Sequence, residues 1–383
     1  MPAFAFRHIK DLYPVFWLKA KELARGIEDQ VNSNKLKESD NVIEVRNWAR
    51  RATLDIIGLT GMEYDFDSLR DPHNSISLQY RKMLQSPSSF ETTVGFCLSF
   101  LMPAKDASVI LRLPTRRVRE ITGASLYIRE LCRKIIEQKQ EKIKKSSSHA
   151  DIDIISVALR SNTFSSENLV DQMMTFLAAG HGTTSIAFQW AVYALCKNSD
   201  MQGRLRREIR DSLPSISDEN CAISADDIDS LPYLHAFCNE VLRFWPPVPS
   251  TVREAVQDTT VAGYSIPKGT MFTIAPAATN RNTELWGPDA DAFNPERWMK
   301  EDCANSGGVK SNYGFLTFIH GPRSCPGDRF AKGELACMVA ALVGHFRVEL
   351  EDPNKEEAFD GDGIAGVAPS DGVRVKFEVV EGW

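Results

Sequence analysis

The chain is poor in the features that announce a small scaffold or a metal finger. None of its eight cysteines (Cys97, Cys132, Cys196, Cys221, Cys238, Cys303, Cys325, Cys337) stands in a C-x-x-C pair. No Cys/His group has zinc-finger spacing either, and such unpaired use fits a reducing compartment. A net charge of −6 gives no global signal for nucleic acid. The first residues do not form a signal peptide or an anchor, because Arg7, His8, Lys10 and Asp11 follow the apolar Met1–Phe6 at once. No internal repeat or low-complexity tract is present. With 383 residues, 43% hydrophobic and 25% charged, a disordered, collagen-like or disulfide-scaffold protein is excluded and a large buried core is expected.

One stretch lacks charge altogether: 25 residues from Gln172 to Cys196 hold no Asp, Glu, Lys or Arg. That is enough to span a bilayer. Its centre reads Gly180-His181-Gly182-Thr183-Thr184-Ser185, a cluster costly at bilayer depth unless it faces protein or water. The pattern predicts a buried central helix, capped at Ser165 or Ser166 with Glu167 in its first turn and about 45 Å long if it reaches Cys196.

Helical periodicity marks Pro14–Glu28, Trp48–Gly58, Thr115–Lys145, Met201–Leu213, Leu234–Phe244 and Phe330–Phe346. Strand-like pieces fall at Thr259–Ala262, Tyr264–Ile266 and Met271–Ala275, and the tail alternates at Val373, Val375, Phe377 and Val379. The expected fold is mainly α with small β-sheets. Arg116–Lys145 holds ten basic and four acidic residues, which predicts a solvated helix face, with an anionic lipid surface as the alternative. The apolar patch Phe96–Met102 is a candidate surface contact.

The chemistry concentrates in Phe318-Ile319-His320-Gly321-Pro322-Arg323-Ser324-Cys325-Pro326-Gly327. Cys325 precedes an apolar helix, whose N-terminal N–H groups and dipole are expected to favour its thiolate. Gly321 and Gly327 permit close backbone approach to a flat partner, and Arg323 can reach an anion on that partner. Thiolate, close backbone and anion clamp together suit a haem. Taken alone, Cys325 would read as a half-buried thiol in a tight turn.

It does not stand alone. The loop completes the pattern F-x-x-G-x-R-x-C-x-G and resembles the haem-binding loop of the cytochrome P-450 family, the haem-thiolate monooxygenases. Three further motifs follow that family's order. Ala179-Gly180-His181-Gly182-Thr183-Thr184 is similar to its A-G-x-[D/E]-T-T, Glu240-Val241-Leu242-Arg243 to its E-x-x-R, and Asn294-Pro295-Glu296-Arg297-Trp298 to its P-E-R-F with Trp in place of Phe.

Physically, Glu240 and Arg243 lie three apart in an apolar helix, so a buried pair is expected, with Arg297 supplying donors. The resemblance makes these three a structural triad behind the Cys loop. It makes Cys325 the iron ligand and Thr183 the proton-delivering hydroxyl, against a core threonine bonded back to its own helix. It places Arg323 and Arg253 on the haem propionates, although Arg253 also reads as a strand-edge surface residue. Gly180, Phe318 and Gly327 would contact the cofactor. Phe176, Ala179, Val248 and Ile364 would border a lipophilic substrate. The Gly180-x-Gly182 pair costs a helix interior about 2 kcal/mol and predicts a local distortion against something large.

Two departures stand out. Gly182 replaces the family's usual acid, and His181 is a candidate substitute proton carrier. At the front, the resemblance implies that the anchor, part of the β-rich lobe, the first helices and one propionate clamp are missing, so that 1–383 forms one cytochrome P-450 domain incomplete at its N-terminus.

The resemblance implies haem b as cofactor and electrons from NADPH through a reductase. It implies residence on the cytosolic face of the endoplasmic reticulum membrane for a full-length form, with soluble or peripheral behaviour for a chain lacking the anchor. A fungal monooxygenase of secondary metabolism is the leading function. The alternatives are a reductase-independent rearrangement or dehydration enzyme, and a non-catalytic remnant.

Overall fold

The computed structural model describes residues 6–36, 42–84, 115–145, 154–160, 165–218, 221–362 and 366–383. The patch Phe96–Met102 and the pocket residue Ile364 lie outside the described residues. Helices α1 (Phe6–Lys10), α2 (Tyr13–Leu36), α3 (Val45–Met62) and α4 (Ser75–Leu84) come first, with strand β1 (Val42–Glu44) between α2 and α3. Then follow α5 (Arg116–Lys145), α6 (Ile154–Arg160), α7 (Ser166–Lys197), α8 (Ser199–Ser212), α9 (Ala225–Asp229) and α10 (Pro232–Phe244). The small β component comprises β2 (Thr251–Glu254), β3 (Thr259–Val261), β4 (Tyr264–Ile266) and β5 (Met271–Ile274). Short helices α11 (Pro276–Thr279) and α12 (Thr283–Trp286) lead to α13 (Asp328–His345). The chain closes with β6 (Phe346–Leu350), β7 (Phe359–Asp362), β8 (Gly366–Pro369) and β9 (Arg374–Val379).

The uncharged stretch forms the spine. Ser165 caps α7 by accepting from the Asn168 N–H, and Glu167 sits in the first turn, where the helix dipole favours an anion. From Ile186 to Leu195 every residue is buried, because α3, α13, α10 and β6 surround the helix. Among the described residues no helix is long and apolar enough to cross a membrane. Helical geometry runs unbroken through Gly180 and Gly182, so the expected distortion is absent. Gly180 instead admits a neighbouring helix: a Cβ there would lie 3.1 Å from the Ile57 Cδ1 of α3.

The basic excess of α5 is partly spent on neighbours. Arg129 bonds Asp171 and Glu167, and Arg133 also bonds Glu167. Lys139 and Lys142 bond Glu63 just beyond α3. The polar face therefore clamps α5 to two helices and is more than a solvated surface.

Four small antiparallel sheets complete the fold among the described residues. The largest has the order β1-β9-β6, with Ile43 opposite Val375 and Val348 opposite Phe377. Its buried positions alternate, as a one-sided sheet requires. The pairs β2-β5, β3-β4 and β7-β8 form separate two-stranded ribbons.

After α3 the chain turns back at Glu63, whose φ of 53° is left-handed, and lays Tyr64 and Phe66 against Gly58. A Cβ at Gly58 would meet the Tyr64 carbonyl at 2.6 Å and the Phe66 ring at 2.5 Å. Gly58→Ala is expected to lower stability by about 1–3 kcal/mol through overpacking, although alanine is the better helix former. Gly123→Ala, where the added methyl meets nothing within 4 Å, is expected to raise it by about 0.5–1 kcal/mol. Urea unfolding of both variants checks the opposite signs.

Candidate active site

The Cys loop leaves Thr317 and turns twice before α13. Ile319 adopts a φ of 56°, uncommon for a β-branched residue, and Gly321 a φ of 88° that demands glycine. The Cys325 N–H bonds the Phe318 carbonyl at 2.8 Å, and the Ser324 N–H bonds that of Gly321, so the loop is closed on itself. Cys325 is exposed and lines a cavity of about 360 Å³.

Burial pushes the Cys325 pKa up, the Gly327 N–H opposes this, and the Asp328 charge adds to it. Desolvation thus opposes the thiolate that the N–H groups at the start of α13 favour.

Across the cavity stands α7. Phe176, Ala179, Gly180 and Thr183 line it, joined by Val248, Arg253, Phe318, Arg323 and Gly327. Ten residues singled out from the sequence, Cys325 included, thus converge on one space, though they span Phe176 to Gly327. The Thr183 Oγ1 donates to the Ala179 carbonyl at 2.7 Å, so the back-bonded state and the place at the cavity wall hold together. Arg253 donates to the Thr251 hydroxyl and the Val252 carbonyl, with its side chain at the cavity rim. Ile57, brought in by α3, lines the cavity too. Sequence reasoning missed it, because nothing local marks a helix that arrives from the far side.

His181 is not in this cavity. It is 2% exposed, its ring lies 5.1 Å from that of Tyr80, and it lines a separate cleft. Burial, with the Arg50 charge, pushes its pKa down to about 3. Its candidacy as a proton carrier to the Cys cavity is corrected on both counts: it faces another space and stays neutral.

Sequence reasoning also missed Glu334, wholly buried on α13. Neither of its oxygens makes a hydrogen bond of ordinary geometry among the described residues. Burial drives its pKa well up, and the neighbouring Thr184 side chain opposes this only in part.

The predicted triad forms. Glu240 and Arg243 are wholly buried and paired through both carboxylate oxygens at 2.8 Å. The Glu240 Oε1 also accepts from the Arg297 Nε at 3.1 Å and the Asn294 N–H at 2.6 Å. Its Oε2 accepts from the Trp298 Nε1 at 2.9 Å. The tryptophan that replaces the family's phenylalanine is thus a donor in the cluster. Arg243 spends its remaining N–H groups on the Asn280, Ala290 and Ala292 carbonyls.

Asn280 carries the support to the Cys loop. Its side chain donates to the Arg243 carbonyl and the Thr317 hydroxyl and accepts from the Leu316 N–H. Thr317 in turn donates to the Leu242 carbonyl at 2.7 Å. The residue before Phe318 is therefore pinned to the helix that bears the ion pair.

A lone thiol presented by a closed loop, facing a helix with a threonine and arginines at the rim, defines the haem-thiolate class of site. The donor set suits one axial sulfur ligand and carboxylate clamps. The comparisons with known proteins agree. The Cytochrome P450 family model matches residues 1–377. Cytochrome P450 monooxygenase sphH of Aspergillus fumigatus is 51% identical over all of this chain, which covers 69% of that protein. Cytochrome P450 monooxygenase FSL4 of Gibberella zeae is 43% identical over 91% of this chain and 64% of its own length. A crystal structure of a cytochrome P450, CYP102L1, superposes with a TM-score of 0.77 at 25% identity, covering 99% of this chain and 80% of that one. The chain belongs to the cytochrome P450 family, with its thiolate-ligated haem iron and its oxygen-incorporating chemistry. It spans about two-thirds of the length of these curated relatives.

Removing the Glu240 carboxylate leaves the buried Arg243 guanidinium without a counter-charge, while Arg297 keeps Asp289. Glu240→Ala is expected to lose about 3–5 kcal/mol of stability. Trp298→Phe, which deletes one donor, is expected to lose about 1–3 kcal/mol. Thermal unfolding of the two variants checks the ranking.

Proposed function

We propose that this chain is a monooxygenase of fungal secondary metabolism acting on a lipophilic small molecule, with Cys325 as the iron ligand. The observation that carries the reading is the single cavity shared by Cys325, Thr183, Gly180, Arg323 and Arg253. Cys325 would hold a haem, which would supply the redox iron for oxygen chemistry. The residues of the chain do the rest. Arg323 and Arg253, at the rim, neutralise the cofactor's carboxylates. Phe176, Ala179, Val248 and Ile57 present apolar surface that excludes water and orients an apolar substrate. The Thr183 hydroxyl spends its one proton on the Ala179 carbonyl, so as placed it offers only acceptor lone pairs to the cavity, and it donates there once its O–H rotates away from Ala179.

Electrons come from NADPH through a reductase, and a full-length form would sit on the cytosolic face of the endoplasmic reticulum membrane. Membership of the family supports both statements. Residues 1–383 act as one cytochrome P450 domain, a reading supported by the single large hydrophobic cluster that joins α2 to β9.

One observation favours a second reading. Gly182 offers no carboxylate beside Thr183, which suits an enzyme that rearranges or dehydrates an oxygenated substrate without reductase. Turnover of such a substrate with and without NADPH and reductase separates the two.

The haem-loaded, reduced and CO-treated protein is expected to show a thiolate-type Soret band that Cys325→Ala abolishes. Absence of haem uptake would sink both enzyme readings and leave a non-catalytic remnant. A Cβ at Gly182 would meet nothing within 4 Å, so the first atom of a side chain is free of clash there. Gly182→Glu is expected to raise product formed per NADPH consumed, and an unchanged ratio counts against proton supply as the shortfall.

A further inference from the structure

Among the described residues, Ile57 is the one residue of α3 that lines the Cys325 cavity. Two glycines make its place. The Ile57 Cδ1 lies 3.1 Å from where a Cβ at Gly180 would stand, and 3.6 Å from where one at Gly61 would stand. The arm of the side chain therefore lies between α7 and the next turn of its own helix, at two positions where neither helix offers a side chain. The first distance is tighter than ordinary contact, so a methyl group at 180 and the Ile57 Cδ1 compete for the same space.

A second contact holds the register that brings them together. Thr53 stands one turn earlier on the same face of α3. Its hydroxyl lies 3.0 Å from both the Ala49 carbonyl of α3 and the His181 carbonyl of α7. One O–H shared between the two carbonyls ties α3 to α7 beside Gly180.

Ile57 is itself only 4% exposed, so packing fixes its rotamer. The α7 residues that line the cavity nearby, Ala179, Gly180 and Thr183, are small. At Gly180 the cavity is thus bounded by a side chain from another helix, not by one of α7.

We propose that Ile57 is a specificity-determining residue of this cavity, its Cδ1 setting the bulk of apolar ligand that fits against α7 at Gly180. This role rests on the haem-thiolate function proposed above. One methylene in an apolar pocket changes discrimination roughly 10–200-fold, so trimming a wall residue held this firmly has a measurable effect.

Spectral titration of the haem-loaded protein with imidazole and 4-phenylimidazole, a slim and a bulky probe of one ligand type, tests this. Ile57→Val deletes Cδ1 alone, and Ile57→Ala shortens the side chain further. Both are expected to raise affinity for 4-phenylimidazole relative to imidazole, by about tenfold for the alanine variant. Ile56→Val, at a wholly buried neighbour outside the cavity lining, is expected to leave the ratio unchanged. Thermal unfolding of the haem-free chain gives a second readout. Gly180→Ala is expected to shift Tm more favourably in the Ile57→Val background than in the parent, because the atom its methyl would meet is gone. Absence of the reduced-CO band in the parent strikes the haem reading and leaves the unfolding cycle to judge the contact. With the band present, a probe ratio unmoved by both Ile57 variants, or moved as much by Ile56→Val, overturns the role in specificity. Additive Tm shifts for Gly180→Ala and Ile57→Val overturn the contact beneath it.

Discussion

The Glu240 carboxylate accepts five hydrogen bonds, from Arg243 twice and from Asn294, Arg297 and Trp298 once each, with no exposure to water. A buried ion pair costs several kcal/mol in desolvation, and only such full satisfaction makes one tolerable. What the arrangement gains is position. Because Arg243 must also reach the Asn280, Ala290 and Ala292 carbonyls, two stretches of chain after α10 are tied to one guanidinium. Asn280 then ties the start of the Cys loop to α10. The thiol's place in the cavity depends on a charge pair that does not touch the cavity.

Helix α7 divides the molecule's polar interior into compartments. Residues 179, 180 and 183 present small or hydroxylated groups to the Cys325 cavity. One residue along, His181 faces a separate cleft, because successive helical residues point about 100° apart. On α13, the Glu334 pKa is driven well up, since no surrounding group offsets the cost of ionising it in full. Three neighbouring titratable environments thus differ by orientation and burial alone. The substitution of Gly182 removes an acid from one of them.

Much of this was legible before any coordinates. The 3.6-residue period and the caps place α7 within a residue or two of its observed ends, because Ser165, Glu167 and Lys197 act locally. The triad was legible because E-x-x-R in an apolar helix demands a compensating donor. The sheet order β1-β9-β6 was not, since it joins segments over 300 residues apart. The donor role of Trp298 was hidden as well, because an indole in place of a phenyl ring declares its N–H only when an acceptor is nearby.

The sequence by itself determined the class of chemistry. A thiol inside F-x-x-G-x-R-x-C-x-G, with the E-x-x-R pair and the threonine motif in order, specifies local backbone, ligand type and clamp, all properties of short segments. The tertiary structure decided which way each side chain faces and how much water it keeps. These properties make Cys325 a raised thiol, His181 a neutral ring in a separate cleft and Glu334 an acid of raised pKa. Desolvation and direction depend on everything packed around a group, and no motif contains that information.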